Sequence, residues 1–165
     1  MDQTALHRRL MGVFLGELEE HVRALNDGLL ALEKEPIAEE RAEHLKGLFR
    51  AAHSLKGSAR AVNVKPIETV CHSLEEILGA ARDGSITLGP EHFEVIYGAA
   101  DAIADAGVRL RAQQDLTEAP ISTIVPRLAA AAQATTGAGT PTPGAPPVRA
   151  AALELERPAH RPLDE

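Results

Sequence analysis

Residues 4–34 read TALHRRLMGVFLGELEEHVRALNDGLLALEK, and this run sets the pattern for everything that follows it. Leu6, Leu10, Phe14, Leu18, Val22, Leu25, Leu29 and Leu32 step by three or four, which puts them on one face of a long helix. Glu35-Pro36 stops it. A second helix is expected to open with Pro36 at its first position and to bury Leu45, Leu48, Ala52, Leu55, Ala59 and Val62, with Asn63 and Pro66 bounding its far end. A third opens at Pro66, buries Ile67, Val70, Leu74, Ile77, Leu78 and Ala81, and closes on Asp83-Gly84 as a left-handed cap. The fourth opens at Pro90 after Gly89 and buries Phe93, Ile96, Ala100, Ile103, Gly107 and Leu110. A shorter fifth segment around Ile124 to Ala132 packs on the end, its start blurred by Pro126.

No segment sustains period-two alternation or carries a hairpin turn signal between β-branched runs, so no strand is expected. Amphipathic helices joined by short connections bury their stripes against antiparallel neighbours. The expected fold is therefore all-α, an up-and-down antiparallel four-helix bundle over residues 1–133 with an additional C-terminal helix. Composition changes near Ala134, and Thr135 to Pro147 reads TTGAGTPTPGAPP. Such a stretch buries too little apolar surface to offset its ordering entropy. Residues 134–165 are read as a Pro/Gly/Ala-rich flexible linker toward further domains, a disordered tail whose short apolar patch is Leu153 and Leu155.

Seventeen Lys+Arg against 24 Asp+Glu leave 165 residues with a net charge of −7, and the aromatic residues are only Phe14, Phe49, Phe93 and Tyr97. That acidic balance lacks the basic footprint and stacking platforms of a nucleic-acid binder. The N-terminus has no apolar core of a signal peptide, and the uncharged run Leu128 to Val148 is too rich in Ala, Thr, Gly and Pro to span hydrocarbon. No membrane partner is expected. The single cysteine, Cys71, closes no intrachain disulfide and fits a reducing, cytoplasmic setting. Its place on the apolar stripe makes it a small core residue.

Seven histidines raise the question of a metal. No two stand three or four residues apart, and Glu17/His21, Glu40/His44 and Glu68/His72 are at i, i+4 where di-iron bundles use Glu-x-x-His. Such pairs are usually solvated surface contacts. No metal is expected. G-x-S-x-G is absent, and with it the serine-hydrolase reading.

The second helix contains Phe49-Arg-Ala-Ala-His53-Ser-Leu-Lys56-Gly57-Ser-Ala-Arg60. At about 100° per residue, His53 falls roughly 120° from the centre of the buried stripe, beside Lys56 and Arg60. Gly57 in a helix interior costs about 1 kcal/mol relative to alanine, which asks for a packing or functional reason such as close approach by another protein. On the third helix, Cys71-His72-Ser-Leu-Glu75 puts Glu75 about 110° from its own stripe centre, the matching rim. Antiparallel neighbours would let His53 and Glu75 meet.

His53-x-x-Lys56-Gly57 followed by His72 and Glu75 resembles histidine phosphotransfer domains, closest to the N-terminal P1 domain of chemotaxis histidine kinases of the CheA class. The likeness extends over roughly residues 4 to 133 and is densest from Leu48 to Gly84. It implies that His53 is the phosphoryl acceptor, that Lys56 beside it softens the charge of the phosphoryl group, and that Glu75 hydrogen-bonds the ring. His72 matches a histidine of chemotaxis-type members and implies a secondary tuning role, while Gly57 and Arg60 border the binding face, Arg60 either sharing the role of Lys56 or solvating the surface.

An acceptor on one ring N–H fixes the tautomer and favours positive charge developing as the other nitrogen attacks phosphorus. No phosphate loop, magnesium constellation or nucleotide signature appears. The resemblance implies that ATP and Mg²⁺ are bound on partner domains: the ATP-binding domain of a histidine kinase, and a CheY-like response-regulator receiver whose aspartate takes the phosphoryl group. Two other readings stand beside this one: a free-standing phosphorelay protein, and an interaction bundle whose histidine is incidental.

Overall fold

The computed structural model describes residues 2–136, and the tail read as a linker lies otherwise outside the described residues. Five helices follow one another: α1 (Gln3–Glu33), α2 (Ala38–Ala61), α3 (Lys65–Arg82), α4 (Pro90–Arg111) and α5 (Pro120–Thr136). No strand occurs among the described residues.

Helix ends are set by local chemistry. Asp2 caps α1, its carboxylate accepting from the Thr4 N–H at 3.1 Å. At the far ends the chain turns left-handed at Glu35, Asn63, Gly84 and Gln113. After α2, α3 and α4 paired bonds close the cap, such as Asn63 N–H to Arg60 C=O and Val64 N–H to Ala59 C=O. Only one of the four caps is the glycine that sequence patterns favour, namely Gly84. The left-handed Glu35 also moves the start of α2: Ile37 is its N-cap and Pro36 lies in the connection, not at the first helical position.

Antiparallel pairing follows from the short connections. Leu48 on α2 fills the space left by Gly28 on α1, and Ser58 meets Glu17. Leu18 on α1 fills the space at Gly107 on α4, while Tyr97 donates to Glu33 at 2.7 Å. A Cβ at Gly28 or Gly107 would sit 2.8 or 2.9 Å from those leucines, so both glycines permit close helix approach. The stripes expected on α2 and α3 are buried in full.

α5 does not sit on the end of the bundle. It wedges between α3 and α4, which touch each other little directly, and buries Ile121, Ile124, Leu128 and Ala132. It also starts earlier and ends later than its apolar residues suggest, taking in Thr135 and Thr136 that composition assigns to the linker. Pro126 lies inside α5 on its exposed side, where the loss of one helical N–H costs least. A neighbour on either side explains why α4 buries Val95, Ala99, Ala102 and Ala106 besides the expected Ile96, Ala100 and Ile103. Phe93 and Leu110 are half-buried.

Leu6 and Leu10 depart from expectation. Each is 46% exposed, and Val13 is 57% exposed. α2 ends near Glu17 and α4 ends near Glu19, so the first three turns of α1 run past both partners for about 16 Å. Leu25→Ala should cost about 2–5 kcal/mol, whereas Leu10→Ala should fall within about 0.5 kcal/mol of wild type. Urea unfolding followed by circular dichroism separates the two.

Candidate functional site

The α2–α3 pair carries the densest polar contacts. Its register brings His53 opposite Glu75 and Arg60 opposite Glu68. The His53 Nδ1 lies 2.5 Å from Glu75 Oε1, and the Lys56 ammonium pairs with Glu75 Oε2. The three groups differ sharply in burial: the His53 side chain is 65% exposed, Lys56 20% and Glu75 9%. A carboxylate at the helix seam thus reaches up to a ring in solvent.

Burial raises the Glu75 pKa, but hydrogen bonds from Lys56 and His53 outweigh it and hold the carboxyl below its usual range. An ionised carboxylate only accepts, so the neutral His53 ring must donate from Nδ1. Nε2 then carries the lone pair, and it has no partner among the described residues. The geometry yields a solvent-facing nitrogen nucleophile with its tautomer set from below.

Lys56 is placed otherwise than the sequence suggests. Its ammonium is directed at Glu75 and not outward to where a phosphoryl group would stand, because the buried Oε2 has no hydrogen-bond donor besides it. Arg60 is drawn the other way: its Nε donates to Glu68 Oε1 at 2.7 Å, and Lys65 donates to Oε2 at 3.0 Å. Hydrogen bonds from those two cations hold Glu68 below its usual range. Arg60 thus ties α2 to α3 a turn beyond the site.

His72 is exposed, and its ion pair is with Glu76 at 3.7 Å, not with His53 or Glu75. Among the i, i+4 pairs noted in the sequence, Glu17 turns to Ser58 and Glu68 to Arg60 and Lys65. No group of three His, Cys, Asp or Glu side chains converges among the described residues. Cys71 is buried, and burial pushes its thiol up to about 12.

Gly57 has nothing within 4 Å of the place its Cβ would take. Helix packing therefore does not explain it. What it does provide is a bare patch of backbone one turn from His53. Missed by sequence reasoning was the company of Phe49, whose ring stacks on His53 with centroids 6.3 Å apart and planes within 9°. The i, i+4 spacing of an aromatic and an imidazole was the available signal.

The Hpt domain profile matches residues 9–119, a span centred on this α2–α3 pair. The chain belongs to the Hpt domain family. Among its curated relatives are the chemotaxis protein CheA of Halobacterium salinarum, 32% identical over 111 residues covering 67% of this chain and 16% of that protein, and that of Cereibacter sphaeroides, 30% identical over 132 residues covering 80% and 19%. The Hpt chain thus spans less than a fifth of the length of these relatives. Its fold matches the phosphorylated P1 domain of CheA3 in complex with CheY6 from R. sphaeroides, with a TM-score of 0.67 and 22% identity, covering 77% of this chain and 98% of that one. Among the described residues no helix is long and apolar enough to cross a membrane.

Because the folded-state pKa of Glu75 is depressed, its pairing with Lys56 and His53 stabilises the fold fully above the ordinary value of 4.5 and is lost as pH falls below it through the folded value. Thermal unfolding should therefore show wild type above Glu75→Gln at pH 7, with the gap closing under acid conditions.

Proposed function

We propose that this Hpt domain is the phosphotransfer module of a chemotaxis-type sensor kinase, with His53 as its phosphoryl acceptor. The observation that carries this reading is the pairing of an exposed ring with a buried, ionised acid: Nδ1 of His53 on Glu75, Nε2 open to solvent. Kinship with CheA proteins over most of the described chain supports it.

In the forward step the Nε2 lone pair attacks the γ-phosphorus of ATP, the bond from that phosphorus to the bridging oxygen breaks, and ADP leaves with the electron pair. The ring becomes a phosphoimidazolium. Its new positive charge is met by Glu75 through the Nδ1–H, a charge-assisted contact already formed before reaction, so little reorganisation is required. In the onward step a carboxylate oxygen of a receiver aspartate attacks phosphorus, the N–P bond breaks, and the electron pair returns to Nε2.

Lys56 acts through Glu75 by keeping it ionised. ATP and Mg²⁺ belong to the partner domains, namely the kinase ATP-binding domain and a CheY-like receiver, and the setting is cytoplasmic. The neighbour in complex with CheY6 supports a receiver of that kind. Residues that follow α5 serve as the linker toward the kinase domains, and His72 tunes the site at most through solvent, since its partner is Glu76.

Incubation with the cognate kinase domain and labelled ATP should give an acid-labile, alkali-stable phosphate on wild type and none on His53→Gln. Equal labelling of the variant would overturn the assignment, and partner binding indifferent to phosphoryl donors would favour an interaction bundle instead. Glu75→Gln should slow labelling about ten- to hundredfold, the worth of a hydrogen bond to a charged group. Gly57→Leu should fold with equal or greater stability, since nothing occupies that space, yet slow transfer to the receiver by obstructing its approach.

A further inference from the structure

A single hydrogen bond fixes one atom of an imidazole and not its plane. Histidine χ2 is broad and roughly two-fold, and the Nδ1 contact with Glu75 leaves the ring free to swing about that contact. His53 is largely exposed, so surrounding core gives it little support. Phe49 supplies the missing constraint, being one turn earlier on α2 with its ring parallel to the imidazole within 9°.

Phe49 is itself held. Its ring edge lies against Gly79 of α3, where a Cβ would meet Phe49 Cε2 at 3.4 Å, and the Arg82 guanidinium stands 4.4 Å from the ring centroid. Arg82 is oriented in turn by donating from Nε to Asp83 at 3.1 Å. The sequence Arg82, Phe49, His53 is thus a ladder of planar groups running along the α2–α3 seam from the C-terminal turn of α3 to the reactive ring.

Resting on the acceptor role proposed for His53, we infer that Phe49, clamped by Arg82, is a positioning residue that holds the His53 ring in the plane from which Nδ1 reaches Glu75 and Nε2 faces the incoming phosphorus. Phe49 touches no reacting atom. It acts by restricting the ring, and an aromatic face also favours the ring once it turns cationic. A leucine retains the apolar volume on α2 but offers no plane to stack on.

The test uses the whole chain labelled with ¹⁵N, wild type and Phe49→Leu, Phe49→Tyr and Arg82→Gln, read by NMR of the His53 imidazole at neutral pH. Phe49→Leu should remove the ring-current shift from the His53 ring protons and lower the ratio of the Nδ1–H to the Nε2–H tautomer about two- to tenfold, the range expected for one aromatic pair. Phe49→Tyr should restore both, and Arg82→Gln should move both in the same direction by less.

His53 shifts and tautomer ratio unchanged in Phe49→Leu would overturn the inference, as would a tyrosine variant that behaves like leucine. Should Phe49→Leu unfold, Arg82→Gln alters only an exposed side chain, and unchanged His53 shifts there overturn it equally. Because the NMR reading needs no phosphoryl donor, it stands apart from the labelling experiment: wild type that fails to take label defeats the acceptor role, whereas an indifferent ring defeats the positioning role.

Discussion

Everything specific to this bundle hangs on one carboxylate. Glu75 sits in the seam between α2 and α3, nine-tenths out of solvent, with one oxygen on Lys56 and the other on His53. A buried charge without partners would protonate or unfold its surroundings. Here two donors from the facing helix keep it ionised, and its demand for an N–H leaves the exposed ring nitrogen of His53 with the lone pair. The chemistry is a consequence of satisfying the acid.

Holding that carboxylate in place requires the register of two helices, and several unrelated contacts maintain it. Glu68 binds Arg60 and Lys65 one end of the seam, Arg82 covers Phe49 at the other, and the apolar stripes of α2 and α3 interlock beneath. Ser58 to Glu17 ties the same stretch of α2 to α1. Slipping α2 by one turn against α3, about 5.4 Å, would break the Arg60–Glu68, Phe49–Arg82 and His53–Glu75 contacts across the seam together. Reactive geometry and stability are thus secured by the same interactions.

The arrangement also divides labour between inside and outside. Among the described residues the site offers an exposed ring nitrogen, a buried counter-charge and a bare helix face at Gly57. Arg60, bound to Glu68, leaves that face less charged than the sequence implies.

Much was legible beforehand because helical periodicity is a local property: apolar stripes, the α3 cap at Gly84 and the rim positions of His53 and Glu75 follow from spacing along one helix. The amino-acid order alone determined that the chain forms amphipathic helices and that a histidine and a glutamate stand at matching edges of two of them. What lay beyond its reach depends on where neighbours end and on which donor wins an acceptor. Leu6 and Leu10 are exposed because α2 and α4 stop short, α5 becomes a wall because α3 and α4 part, Lys56 turns inward because Oε2 is otherwise unpaired, and Arg82 meets Phe49 across a seam that no single-helix pattern encodes. Those outcomes are competitions among groups distant in sequence, and only the folded arrangement decides them.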